Sequence, residues 1–260
     1  MAKRFWAFAL TFLAATALTA SAQAAEWGTL KGQFILDGTA PTPAKLNINK
    51  DQAVCGQHEL VDESLVVGAN GGIKNILVYI RPKRGKKIDV HPDYAATAND
   101  KITLDNADCR FEPHIVLVRT SQTLELKNSD TVGHNCKLDS FSNDPINVLI
   151  PPEATNERKL TKEERMPVQA SCNIHPWMTA FVVVRDDPYM AVSAEDGTFE
   201  IKNIPVGEYE FQFWQEKAGY LKKIKLGSAG STDTRGRADL KITAGDNDLG
   251  KVSVPVASFK

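Results

Sequence analysis

Cys172, His175 and Met178 present a thiol, an imidazole and a thioether within seven residues, in the run Ser171-Cys172-Asn173-Ile174-His175-Pro176-Trp177-Met178. Thiolate and thioether are soft donors that suit Cu(I), and imidazole serves both oxidation states of copper. A trigonal plane of two His and one Cys, with a weak axial Met, lets a copper ion change charge with little rearrangement. The second imidazole available is His134, in Asn128-Ser129-Asp130-Thr131-Val132-Gly133-His134-Asn135. Each residue also has an ordinary role open to it: a disulfide for Cys172, core packing for Trp177 and Met178, a surface turn for His134. The copper reading is preferred because all four ligands are on hand together.

These ligands must be held by strands. Val168, Ala170 and Cys172 alternate with polar residues, and residues 180–184 are apolar, so the ligand run reads as a tight loop between two strands. His134 follows a strand ending near Lys127 and can reach the site from a neighbouring strand. Residues 115–118 and 181–184 are continuous apolar runs, as expected of strands buried on both faces. Leu124 and Leu126 alternate with polar neighbours. Residues 28–36, 65–67 and 76–80 read as further strands. Residues 151–166 are polar and charged, and read as one short helix or a long exposed loop.

After Asp186 a second β unit is expected. Asp196-Gly197 and Pro205-Val206-Gly207 are turn sequences. Tyr209, Phe211 and Phe213 alternate with Glu208, Glu210 and Gln212, a period of two. Leu240, Ile242, Val252 and Val254 are expected to form a final hairpin across Gly245-Asp246-Asn247. No segment carries a long period of 3.6, so the class is all-β.

Lys3 and Arg4, the apolar run of residues 5–20 and the small residues of 21–25 form the pattern of an export signal, with cleavage expected after Ala24. No later segment is apolar enough for the ~20 residues a membrane span requires. The formal charge of −1 becomes −3 without Lys3 and Arg4, which is no nucleic-acid footprint. Lys83 to Lys87 reads as a solvated basic loop. There is no G-x-S-x-G, no Gly-rich phosphate loop and no H-x-H pair. Four protein ligands would also close a metal to substrate, so an enzyme is not expected.

The run from Cys172 to Met178 is similar to the short ligand loop of the amicyanins, and Asn128 to Asn135 resembles the cupredoxin segment that supplies the first histidine. The resemblance covers residues 105–185. It implies one type 1 copper ion held by His134, Cys172, His175 and Met178, with Asn135 tying the two ligand loops together. The whole chain also resembles exported proteins of some Gram-negative bacteria labelled "methylamine utilization protein", which pair a cupredoxin region with a carboxypeptidase-regulatory-like β module. Asp196-Gly197-Thr198-Phe199 and Pro205-Val206-Gly207-Glu208-Tyr209 are similar to that module, and residues 28–38 read as its first strand.

The expected organisation is an export signal at 1–24 and an N-terminal β region at 25–99 feeding strands to both modules. A cupredoxin-like Greek-key β-sandwich at 100–187 and a second small β-sandwich at 188–260 complete it. The expected function is a periplasmic carrier of single electrons. Its partner would be a redox protein, by resemblance a c-type cytochrome or a periplasmic dehydrogenase. A copper carrier or sensor, and an envelope binding module with structural copper, are the alternatives. In a cupredoxin geometry the edge of His175 would reach the surface, and Pro176 and Trp177 would help form a docking face.

With Cys172 on copper, three cysteines remain in an oxidising compartment. Cys55–Cys109 is the preferred pair, and would staple the N-terminal region to the copper domain. Cys136 lies two residues beyond His134, on the same side of a strand. It is open to being a free thiol, a disulfide partner or a further ligand. His114 reads as a core histidine, and His58 and His91 as solvated.

Overall fold

The computed structural model describes Met1, residues 26–82 and residues 86–259. The expected export signal and part of the basic cluster lie outside the described residues. Among those described, no helix is long and apolar enough to cross a membrane.

The strands run in chain order as β1 (Trp27–Asp37), β2 (Leu77–Arg81), β3 (Lys101–Ala107), β4 (Arg110–Glu112), β5 (Ile115–Arg119) and β6 (Thr123–Asn128). Next come β7 (His134–Leu138), β8 (Ile146–Ile150), β9 (Thr155–Arg158), β10 (Val168–Ser171), β11 (Thr179–Arg185) and β12 (Met190–Val192). The last are β13 (Thr198–Pro205), β14 (Gly207–Gln215), β15 (Gly219–Tyr220), β16 (Arg237–Ile242) and β17 (Gly245–Pro255). Among the described residues one α-helical turn, α1 (Gln52–Cys55), interrupts the all-β pattern.

Strands β3 to β11 make two sheets, ordered β5-β11-β10-β7-β8 and β4-β3-β6-β9. The other strands make two more, β13-β1-β17 and β12-β2-β14-β15 with β16 on β14. The N-terminal strands β1 and β2 therefore sit in sheets with strands from beyond residue 188. Each sheet pair encloses one apolar core. A third cluster of Leu77, Tyr79, Ile115, Val183 and Trp214 joins the two sandwiches. That junction explains the continuous apolar runs. On β2, Val78 and Ile80 face one core while Leu77 and Tyr79 face the junction. On β11, Ala180, Val182 and Val184 face the other core while Val183 faces the junction.

Two local expectations are corrected. Residues 151–166 hold neither a helix nor only a loop: β9 lies there and pairs with β6. Glu164 is buried in this stretch and accepts the backbone N–H groups of Phe141, Ser142 and Asn143, so a charged residue serves as an internal clamp. Nor do β16 and β17 form the expected final hairpin. β16 pairs with β14, and β17 runs parallel to β1. The Asn247 side chain bonds to Thr243 N–H and to the carbonyls of Thr243 and Gly245, and so closes a turn that passes the chain between sheets.

Asp187 lies buried just after β11 and accepts the N–H of Tyr189. Burial pushes its carboxyl from 3.8 up to about 6, against the pull of Arg185. The folded state thus holds this proton more tightly than the unfolded state. Its contribution to stability is present below about pH 4 and is lost as pH rises towards 6. The difference in unfolding free energy between wild type and Asp187→Asn should change by on the order of 3 kcal/mol between pH 4 and pH 7. Urea melts at these two pH values check it; a constant difference would contradict it.

Candidate metal centre

Strand β10 pairs with both β7 and β11, and this carries Cys172 to the start of β7, where His134 sits. The loop after β10 closes on itself. Cys172 N–H donates to Met178 O at 3.3 Å, and Met178 N–H donates to His175 O at 2.9 Å. Two backbone N–H groups, from Asn135 at 3.5 Å and His175 at 3.4 Å, point at Cys172 Sγ. Asn135 Oδ1 accepts the N–H of Asn173 at 2.7 Å, which ties the β7 strand to the ligand loop.

The structure brings three of the four expected ligand atoms together. Cys172 Sγ lies 4.0 Å from His134 Nδ1 and 3.7 Å from His175 Nδ1, and the two Nδ1 atoms are 2.9 Å apart. A planar site with bonds of about 2.0 Å to nitrogen and about 2.3 Å to sulfur spaces its ligand atoms by roughly 3.5–3.8 Å. The sulfur–nitrogen spacings match this, and the nitrogen pair is tighter. His134, Cys172, His175 and Met178 are all buried, and Met178 packs in the same core cluster as Cys172.

Each histidine is held from behind by a carboxylate. His134 Nε2 lies 2.8 Å from Asp130 Oδ2, and His175 Nε2 lies 2.8 Å from Asp51 Oδ2. A carboxylate only accepts, so each Nε2 carries a hydrogen, and Nδ1 is the nitrogen turned towards the sulfur, with a lone pair for a metal whenever the ring is neutral. Carboxylate–histidine pairs of this kind orient metal-binding imidazoles and raise their basicity. The charges agree. Burial disfavours the charged form of His134, but Asp130 and Cys172 override it and raise its pKa to about 9. Burial pushes the Cys172 thiol up, but His134 and the N–H groups around the sulfur hold it below its ordinary value. Burial lowers His175, with Asp51 opposing. The cluster therefore sets a thiol held below its ordinary value beside a basic imidazole, a place that favours positive charge among the donor atoms.

Several expectations resolve here. Cys55 and Cys109 form a disulfide, and Cys136 and Cys172 are free. Cys136 is packed in the core, where burial pushes its thiol up to about 12, and it is not in the His134–Cys172–His175 cluster. A second cluster of Cys109, Asp130 and His134 offers no thiolate, because the Cys109 sulfur is bonded to Cys55. The exposed edge expected of His175 is corrected, while Pro176 is exposed and Trp177 half-buried. His175 is fully buried, because Asp51 and the segment running into α1 cover its edge. Trp177 turns inward, donates Nε1–H to Cys109 O at 3.0 Å and packs on the cluster of Cys55, Leu60 and Cys109. His58 and His91 are half-buried, beside Asp108 and Asp93.

Asp130 and Asp51 were not legible as site residues. Asp130, four residues before His134, carried a weak signal, since that spacing can return a side chain across a short turn. Asp51 carried none. It lies 124 residues from His175 in a polar stretch.

No family model matches the chain, and no curated protein matches it. Among solved structures it is similar to a reduced Cu(I) form of an amicyanin variant at 20% identity and a TM-score of 0.30, covering 42% of this chain and 98% of that one. It is similar to a copper-containing nitrite reductase from Thermus scotoductus SA-01 at 17% identity and a TM-score of 0.30, covering 40% of this chain. The match spans a quarter of the reductase, 25% of its length. A purple cupredoxin from Nitrosopumilus maritimus is similar at 20% identity and a TM-score of 0.27, covering 33% of this chain and 99% of that one.

Proposed function

We propose that this chain is an exported type 1 copper protein that carries single electrons. His134, Cys172 and His175 supply the planar ligands, and Met178 the weak axial one. One observation carries the reading: two carboxylates fix both imidazoles so that their Nδ1 atoms meet at the buried Cys172 sulfur. Zinc also accepts two His and one Cys, but a thioether beside a thiolate favours copper. Bound copper would supply a one-electron change of charge. The chain's own part is to exclude water from the donors and to hold them still by Asp130, Asp51 and Asn135.

Burial and rigid positioning favour an ion that stays, over one that is handed on. Four protein ligands leave no open position for substrate, which supports a carrier over an enzyme. A periplasmic redox protein, such as a c-type cytochrome or a dehydrogenase, is the proposed partner. The C-terminal sandwich, similar in its turn sequences to carboxypeptidase-regulatory-like modules, serves in this reading as the scaffold that β1 and β2 complete.

Voltammetry of the copper-loaded protein, with and without excess Cu(I) chelator, separates the two copper readings. A reversible one-electron wave that survives the chelator is expected. A wave lost as the chelator strips the ion would make the protein a copper carrier.

A further inference from the structure

Three buried donors need a path by which an ion reaches them. A second, smaller site lies beside them. His114 immediately precedes β5, is 8% exposed, and its Nε2 lies 2.6 Å from Glu216 Oε2 across the junction between the sandwiches. A carboxylate only accepts, so this Nε2 also carries a hydrogen, and Nδ1 is the nitrogen left over. That Nδ1 is buried without a hydrogen-bond partner among the described residues. As at His134 and His175, a carboxylate stands behind the ring and fixes which nitrogen is turned away from it. The burial of an unsatisfied polar atom is costly, and it calls for an explanation.

His114 lines a pocket of about 50 Å³ together with Met178, Trp177, Asp62, Glu63 and Arg110. At roughly 10–15 Å³ for each water, that volume takes one small ion and a few waters. Arg110 is engaged by Glu63 at 3.5 Å and Glu112 at 2.9 Å, and Asp62 Oδ1 accepts the N–H of Ser64 at 2.8 Å, which leaves the rest of its carboxylate to favour a cation in the pocket beside Lys217. Met178 links the two places, as it closes the ligand loop and also lines this pocket. His114 and Met178 bring an imidazole and a thioether to the pocket, donor types that suit Cu(I), and Asp62 adds a hard carboxylate that contributes negative charge.

We propose that this pocket is a loading site for Cu(I), held in passing by His114 and Asp62 and passed along Met178 to the cluster of His134, Cys172 and His175. The inference rests on the copper reading above. Glu216 acts as a positioning residue for the His114 ring.

The test supplies Cu(I) to the metal-free mature protein from a coloured Cu(I)–chelator complex, whose loss of colour reports uptake. His114→Gln should slow uptake at least tenfold. The final copper content, and the visible spectrum after oxidation, should match wild type. Uptake at the wild-type rate would overturn the loading site and leave the copper reading standing. A wild type that takes up no copper would overturn both. A second measurement does not depend on the folding of His114→Gln. Ag(I), a redox-silent stand-in for Cu(I), is added to Cys172→Ser, and the imidazole nitrogens are followed by NMR. A shift at His114 Nδ1 is expected, and an unshifted His114 would overturn the proposal.

Discussion

Replacing Cys55 and Cys109 together with Ser should weaken copper binding by a hundredfold or more, although neither sulfur reaches the ligands. The disulfide sits between the two carboxylates that hold the imidazoles. Cys109 N–H donates to Asp130 Oδ2 at 2.9 Å, and Asp130 holds His134. Cys55 N–H donates to Asp51 O at 2.8 Å within α1, and Asp51 holds His175. Loss of one such outer partner typically costs about 10–100-fold in metal affinity, and here both are loosened. The disulfide also closes a loop of 54 residues. Opening a loop of that size lowers stability by about 4 kcal/mol on chain entropy alone. Copper affinity by competition with a chelator, measured on the folded double variant, decides the point. Unchanged affinity would mean that Asp51 and Asp130 hold their places without the staple.

Asp130→Asn should lower copper affinity by about 10–100-fold, more than Asp51→Asn does. An asparagine at 130 can offer its own N–H to His134 Nε2. The ring then shifts its hydrogen to Nδ1 and loses the lone pair that would bind the metal. The Asp130 side chain is 9% exposed and that of Asp51 is 38% exposed, so water can replace Asp51 far more readily. The check is chelator competition on both variants at one pH. Equal losses, or a larger loss at Asp51, would contradict this ranking of the carboxylates.

The sequence made the ligands legible and left their supports hidden, for a physical reason. A thiolate, an imidazole and a thioether on one short loop are rare by composition and need no partner to be noticed. The carboxylates behind the rings are ordinary surface-type residues until the fold brings them in. The α1 segment that covers His175 is polar and has no periodicity, so nothing local marked it as part of the site. That is why an exposed His175 edge was expected where Asp51 sits. The strands were legible where burial is double-sided, as in residues 115–118 and 181–184, because runs without alternation need apolar surroundings on both faces. The partners of strands were less legible. Gly245-Asp246-Asn247 fixes that the chain turns, but not whether β17 returns beside β16 or crosses to β1. The pairing of β17 with β1 rests on contacts distant in sequence, and this shows only in three dimensions. His114 reads as a core histidine from its setting, and only its unpartnered Nδ1 distinguishes it.

The most direct test of the central claim is the visible spectrum of the mature protein with one equivalent of Cu(II), beside that of Cys172→Ser. An intense thiolate-to-copper band at about 600 nm is expected in the wild type and absent in the variant. A colourless wild type, or a band that survives the loss of the Cys172 sulfur, would contradict a copper site built on Cys172.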